Sequence, residues 1–165
     1  MTVPVIAIVG CANAGKTTLI EQLVGMLTQH GLRVGTIKHS HHQPELDKPG
    51  KDSWRHKQAG AAASLLVGPE QLQLIQDLHE AMTPRQLAER YFPDVDLVLV
   101  EGYSSMPGDK IEVVRAGCST QLRCRPEHLL AVVTDLPQRH AALPQFALDD
   151  VDALSAWIMR RIGRD

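Results

Sequence analysis

Apolar residues recur along this chain in two rhythms, short unbroken runs and longer stretches at helical spacing. Val3–Val9 is apolar and β-branched almost throughout, as are the centre of Asp94–Gly102 and Leu129–Val133. Such runs predict strands buried on both faces of a parallel sheet. Leu19, Ile20, Leu23, Val24 and Leu27 repeat at helical spacing, and Gly31 stands where a left-handed C-terminal cap belongs, so a helix is predicted from near Lys16. Val151, Leu154, Trp157, Ile158 and Ile162 line one face of a final helix capped by Asp149-Asp150. Arg33–Lys38 reads as a second strand, which makes the opening β-α-β with a right-handed crossover.

The middle of the chain is less regular. A short helix is predicted from Asp52 or Ser53 to Gly60, and a strand over Ala62–Val67. Alternation at Leu72, Leu74 and Leu78 predicts an antiparallel or edge strand, and Thr83-Pro84 supplies an N-cap with proline at the first helical position for a helix to Tyr91. Lys110–Arg115 is predicted as a strand, followed by a polar, mobile loop over Ala116–Pro126. The expected architecture is one α/β domain over residues 1–165, a mostly parallel sheet flanked by helices with an antiparallel edge portion.

The chemistry concentrates at Gly10-Cys11-Ala12-Asn13-Ala14-Gly15-Lys16-Thr17, with Thr18 behind it. This is G-x-x-x-x-G-K-[ST] between a predicted strand and a predicted helix, the phosphate-binding loop of nucleoside triphosphatases. Gly10 and Gly15 allow a backbone that turns successive N–H groups toward phosphate oxygens. Lys16 adds a cation within reach of the β and γ phosphates, Thr17 offers Mg²⁺ a hydroxyl, and the helix start aims its positive end at the same anion.

Other strand ends join this site, because ligands of open α/β sheets sit beyond the carboxyl ends of the strands. Glu101-Gly102 closes a buried run, which predicts a carboxylate for the metal and a glycine that lets backbone approach the γ-phosphate. The segment after the second strand holds Lys38, His39, His41 and His42, then Asp47, Lys48, Lys51 and Asp52. Its lysines favour an anionic partner over a second metal, with solvated loop charge as the competing reading. Asp135 follows Thr134 at a late strand end and can accept from both N1–H and the N2 amino group of guanine, a pairing adenine lacks. A plain strand-end turn is the alternative there.

A formal net charge of -2 over 165 residues gives no global attraction to nucleic acid or an anionic membrane. No apolar run approaches the roughly 18 residues of a membrane span, and Met1-Thr2-Val3-Pro4 lacks the features of a signal peptide, so a cytoplasmic protein is expected. Three cysteines argue against a disulfide framework; Cys118 and Cys124 are expected as free thiols and Cys11 as a packing or rim element of the loop.

The combination GCANAGKTTL, IKHSHH, DKPGKDS with AGAAAS behind it, and DLVLVEGY resembles the MobB family, molybdopterin-guanine dinucleotide biosynthesis protein B, from Val5 to about Ile162. The resemblance implies a homodimeric GTP-binding protein with weak Mg²⁺-dependent GTPase activity. It would be an adapter for the guanylyltransferase that joins GMP to molybdopterin in molybdenum cofactor synthesis. It assigns nucleotide binding to Gly10–Thr18 and the Walker B-like role to Glu101-Gly102, and makes Lys16 and Glu101 the residues of any hydrolysis. Lys38, His39, His41, His42 and Asp47–Ser53 would face the γ-phosphate or the pterin partner. Two other classes stay open on the residues alone. Arg115, Arg123 and Arg125 would suit the lid of a small-molecule kinase, and the histidines would suit a nickel-type metallochaperone GTPase.

Overall fold

The computed structural model describes residues 2–40, 42, 44–137 and 142–164, which fall into two compact units, Met1–His39 with Met82–Asp165 and, separately, Ser40–Ala81. In the larger unit the apolar runs become six strands, β1 (Val5–Gly10), β2 (Val34–Lys38), β5 (Leu97–Glu101), β6 (Asp109–Val114), β7 (Leu129–Thr134) and β8 (Gln145–Phe146). They form one sheet in the order β2-β5-β1-β6-β7-β8, and each pairing is parallel. Parallel strands need coverage on both faces, and the alternation of side chains supplies it.

Ile6 and Ile8 of β1, Leu97 and Leu99 of β5, and Ile111 and Val113 of β6 point to one face, where α1 (Lys16–Gln29) brings Leu19, Leu23 and Leu27 and α4 (Val151–Arg161) brings Val151, Leu154 and Ile158. Ala7, Val9, Val98, Val100 and Val114 point to the other, under α3 (Pro84–Tyr91) and the irregular chain carrying Phe92, Tyr103 and Leu122. The expected helix signals act as read. Asp150 accepts from the Ala153 N–H, Gly31 adopts φ 83° just past α1, and Thr83 forms a full capping box with Gln86.

Two charged residues interrupt the β6 pattern and are nonetheless buried, Lys110 and Glu112. The Glu112 carboxylate accepts from the backbone N–H groups of Arg123 (2.6 Å) and Cys124 (3.0 Å). The stretch after β6 is irregular, as read from its composition, but it is tied to the sheet by this side chain. Cys124 donates to the Ser104 carbonyl at 3.8 Å, and all three cysteines are free thiols.

The smaller unit holds α2 (Asp52–Gln58) and the antiparallel pair β3 (Ala63–Val67) and β4 (Leu72–Gln76). The expected antiparallel portion is therefore a separate two-stranded sheet and not an edge of the parallel one. Its hairpin pairs residues adjacent in sequence, so its hydrogen bonds are completed locally. Lys57 anchors the end of α2 by donating to the carbonyls of Ala61 (2.5 Å) and Ala62 (3.2 Å) and to Asp77 (2.7 Å). Leu65, Leu66, Val67 and Leu72 remain more than half exposed at 55%, 54%, 67% and 65%.

Candidate nucleotide site

The loop after β1 takes the backbone its glycines foretold. Gly10 has φ 144° and Gly15 φ 96°, and Asn13 also enters the left-handed region at φ 60°. A Cβ on Gly10 would lie 2.5 Å from the Val113 carbonyl oxygen of the neighbouring strand, so a side chain is excluded twice, by conformation and by space. Ala14 is fully buried and packs into the α1 side of the core. The loop is thus pinned from below, while Ala12, Asn13, Thr17 and Thr18 stay exposed. Lys16 folds over it, donating to the Cys11 carbonyl at 2.6 Å.

Beside the loop, Thr17 donates from Oγ1 to Glu101 Oε2 at 3.0 Å, and Lys38 Nζ pairs with Glu101 Oε1 at 2.8 Å. Partial burial pushes the Glu101 carboxyl up, but hydrogen bonds from Lys38 and Thr17, with the charges of Lys38 and Lys16, outweigh it and hold the group below the usual carboxylate value. A hydroxyl and an ionised carboxylate in contact form an all-oxygen donor pair, which suits a hard cation such as Mg²⁺. Next to Glu101, Gly102 has φ 99° and its Cβ position lies 3.4 Å from the His39 Cβ. The His39 ring packs against Tyr103 at a tilt of 41° with centroids 4.2 Å apart, and burial raises the Tyr103 phenol.

The sheet register explains why these groups meet. Lys38 lies opposite Glu101, Glu101 opposite Ile8, Gly10 opposite Val113, and Val114 opposite Thr134. Counting in twos from the core positions Val34, Leu97, Val113 and Val133 leads to Lys38, Glu101, Arg115 and Asp135, all on the α1 face at the carboxyl edge. Arg115, read from sequence only as a lid cation, has its Nη1 3.7 Å from the Cβ position of Gly15. Asp135 Oδ1 accepts from the Ala116 N–H at 2.8 Å, so this carboxylate braces the backbone beside Arg115. A hydrogen bond with the Cys11 thiol raises the exposed Cys118 thiol, which sits in the same turn.

Residues 5–135 match the MobB family, molybdopterin guanine dinucleotide synthesis protein B. The chain belongs to the MobB family. The relative from Haemophilus influenzae, named molybdopterin-guanine dinucleotide biosynthesis adapter protein, is 38% identical over 136 residues, 82% of this chain and 76% of its own length. The protein of the same name from Escherichia coli is 32% identical over 166 residues, covering 95% of this chain and 92% of its own length. A crystal structure of molybdopterin-guanine biosynthesis protein B (mobB) matches with a TM-score of 0.75 at 30% identity, over 97% of this chain and 99% of that one.

Of the residues that the MobB resemblance singles out, Gly10–Thr18, Lys38, His39, Glu101, Gly102 and Asp135 lie in the larger unit. Thr17, Lys38 and Glu101 are in direct contact. His42, Asp47, Lys48, Lys51 and Asp52 belong to the smaller unit, where Asp47 Oδ1 accepts from the Lys48 N–H at 2.8 Å. His41 lies outside the described residues. Among the described residues no three His, Cys, Asp or Glu side chains gather as a metal cluster, and no helix is long and apolar enough to cross a membrane.

Proposed function

We propose that this MobB-family protein binds GTP with Mg²⁺ and serves as an adapter in synthesis of the guanine dinucleotide form of the molybdenum cofactor. In this reading it assists the enzyme that joins GMP to molybdopterin. The observation that carries the nucleotide part is the Thr17–Glu101 hydrogen bond beside a loop with two left-handed glycines. The loop amides and Lys16 would hold the phosphates, and Thr17 and Glu101 would hold the cation, which screens phosphate charge when bound. Glu101 would also orient water for slow hydrolysis. Asp135 would face guanine with the carboxylate edge not taken by Ala116, and Gly102 would give the γ-phosphate access to backbone.

The adapter role follows the names of the Haemophilus influenzae and Escherichia coli relatives. His39, His41, His42, Asp47, Lys48, Lys51 and Asp52, together with Lys38, are the residues proposed to meet the γ-phosphate, the pterin or the partner enzyme. We further infer a cytoplasmic homodimer, supported by the apolar hairpin β3–β4. A two-stranded sheet is marginal alone, and four of its large apolar side chains lie open to solvent.

Calorimetric titration with GTP and ATP in Mg²⁺ tests the nucleotide reading. GTP should bind more tightly, and Lys16→Ala should lose most triphosphate affinity. Tighter ATP binding would remove the guanine assignment, and an unaffected Lys16→Ala variant would remove the site. A reconstituted cofactor-synthesis assay with and without the protein tests the adapter role, which fails if the product yield does not change.

A further inference from the structure

The carboxyl edge of the sheet is divided by the phosphate loop into two chemically different halves. On the β2–β5 side stand Lys38 and Glu101, with Thr17 donating to Glu101, so that a hydroxyl and a carboxylate in contact offer a cation an all-oxygen pair. On the β6–β7 side stand Arg115, the Ala116 amide and Asp135. Beyond them, at the ends of β7 and β8, a cavity of about 400 Å³ is lined by Thr134, Asp135, Leu136, Gln145, Phe146 and Ala147. A nucleoside triphosphate has one end that needs a metal and another that needs a concave, partly apolar surface. The γ-phosphate therefore belongs on the β2–β5 side and the nucleoside on the β6–β8 side.

Arg115 stands between the loop and that cavity. Its guanidinium reaches the α1 N-terminus at Gly15, where the phosphates of a nucleotide would sit. Among the described residues it forms no ion pair with a carboxylate. Asp135, at the end of the neighbouring strand, already accepts from the Ala116 amide. The turn is closed on itself, with the N–H groups of Cys118 and Ser119 both bonded to the Arg115 carbonyl at 2.9 and 3.0 Å, so the backbone that carries the side chain is fixed. A planar cation on a fixed turn beside an anion-binding helix start matches what bidentate phosphate recognition requires.

Resting on the proposed nucleotide site, we propose that Arg115 is the second cation of the phosphate loop and grips the phosphates on the nucleoside side, which GDP and GTP share. Lys38, across the loop, serves the γ-phosphate half. The two cations should then separate by ligand.

The test is titration of GDP and GTP in Mg²⁺ into the wild-type protein and the variants Arg115→Ala, Arg115→Lys and Lys38→Ala. Arg115→Ala should weaken GDP and GTP by a similar factor, about ten- to a hundredfold for loss of charge-assisted hydrogen bonds. Arg115→Lys should recover part of that loss, because it restores the charge without the fork. Lys38→Ala should weaken GTP more than GDP. The urea midpoint of Arg115→Ala should match the wild type, because the side chain is exposed; if it does not, Arg115→Lys carries the comparison. Unchanged GDP affinity in Arg115→Ala, or a loss confined to GTP, would overturn the assignment. A wild type that binds neither nucleotide would overturn the site itself together with it.

Discussion

Glu112 offers a sharp physical test, because two large effects oppose each other at one buried side chain. It is 1% exposed and accepts from two backbone N–H groups, at 2.6 and 3.0 Å. Removing a carboxylate from a low-dielectric interior relieves a desolvation penalty, and a buried charge exchanged for a neutral group is often harmless or stabilising when its partners leave too. Here the partners stay, since they are main-chain amides that no side-chain substitution removes. Glu112→Gln keeps one carbonyl acceptor but turns an amide donor toward the other N–H. The expected loss is about 2–3 kcal/mol, the cost of one unsatisfied buried donor facing another. Glu112→Ala deletes both acceptors and leaves a void, for about 3–5 kcal/mol. In a chain of 165 residues the Gln variant should melt roughly 4–12 °C lower. Urea denaturation followed by circular dichroism gives the free energy, and limited trypsin cleavage after Arg123, whose N–H is one of the two tethered groups, reports whether the tether to the loop is lost. A Glu112→Gln variant within about 0.5 kcal/mol of wild type, the range of ordinary surface changes, would show that relief of desolvation outweighs the lost bond and refute the reasoning.

Two further outcomes follow from the geometry. The Glu101 carboxyl is held below its ordinary value of 4.5 in the fold, so its pairing stabilises the protein above that pH and is lost as the pH falls through the lower folded value. The stability difference between wild type and Glu101→Gln should therefore shrink as an acid titration passes below about 4.5, and a difference that grows in acid would contradict the assignment. Replacing Leu65 and Leu72, which share one face of the hairpin, together by Thr should leave secondary structure intact and shift the proposed dimer toward monomer in light scattering; an unchanged mass would take that face of the hairpin out of the interface.

Where a local rule decides the outcome, the sequence was readable. The glycines at positions 10 and 15 need angles few other residues adopt, and the Thr83-Pro84 start carries its cap in four consecutive residues. Glu101 was legible because a buried run that ends in an acid has few structural reasons to do so. Glu112 was not, since alternation along Lys110–Arg115 places an acid as readily toward water as inward, and its partners lie 11 and 12 residues onward in irregular chain. The separate status of the β3–β4 hairpin was hidden for a similar reason. Alternation shows that two strands can pair, but whether they also join a third is settled by contacts far off in sequence. Strand β8, two residues long, leaves no periodic trace at all. Arg115 was read as the end of a strand and as a lid cation, and the Gly10–Val113 register brings it to the phosphate loop.

That same register carries a lesson for changing this protein. Lys38, Glu101, Arg115 and Asp135 share a face because each is an even number of residues past a core position on its own strand. One residue inserted within β2, β5, β6 or β7 would rotate that group to the opposite face while the strand could still find apolar cover. Such a protein would keep its sheet and lose the proposed site. Insertions in the 116–126 stretch beyond Asp135's partner Ala116 leave every parity intact. The chain therefore has two kinds of spacing, one that counts modulo two and one, between the turn at Ser119 and the tethered Arg123, whose length does not enter the count.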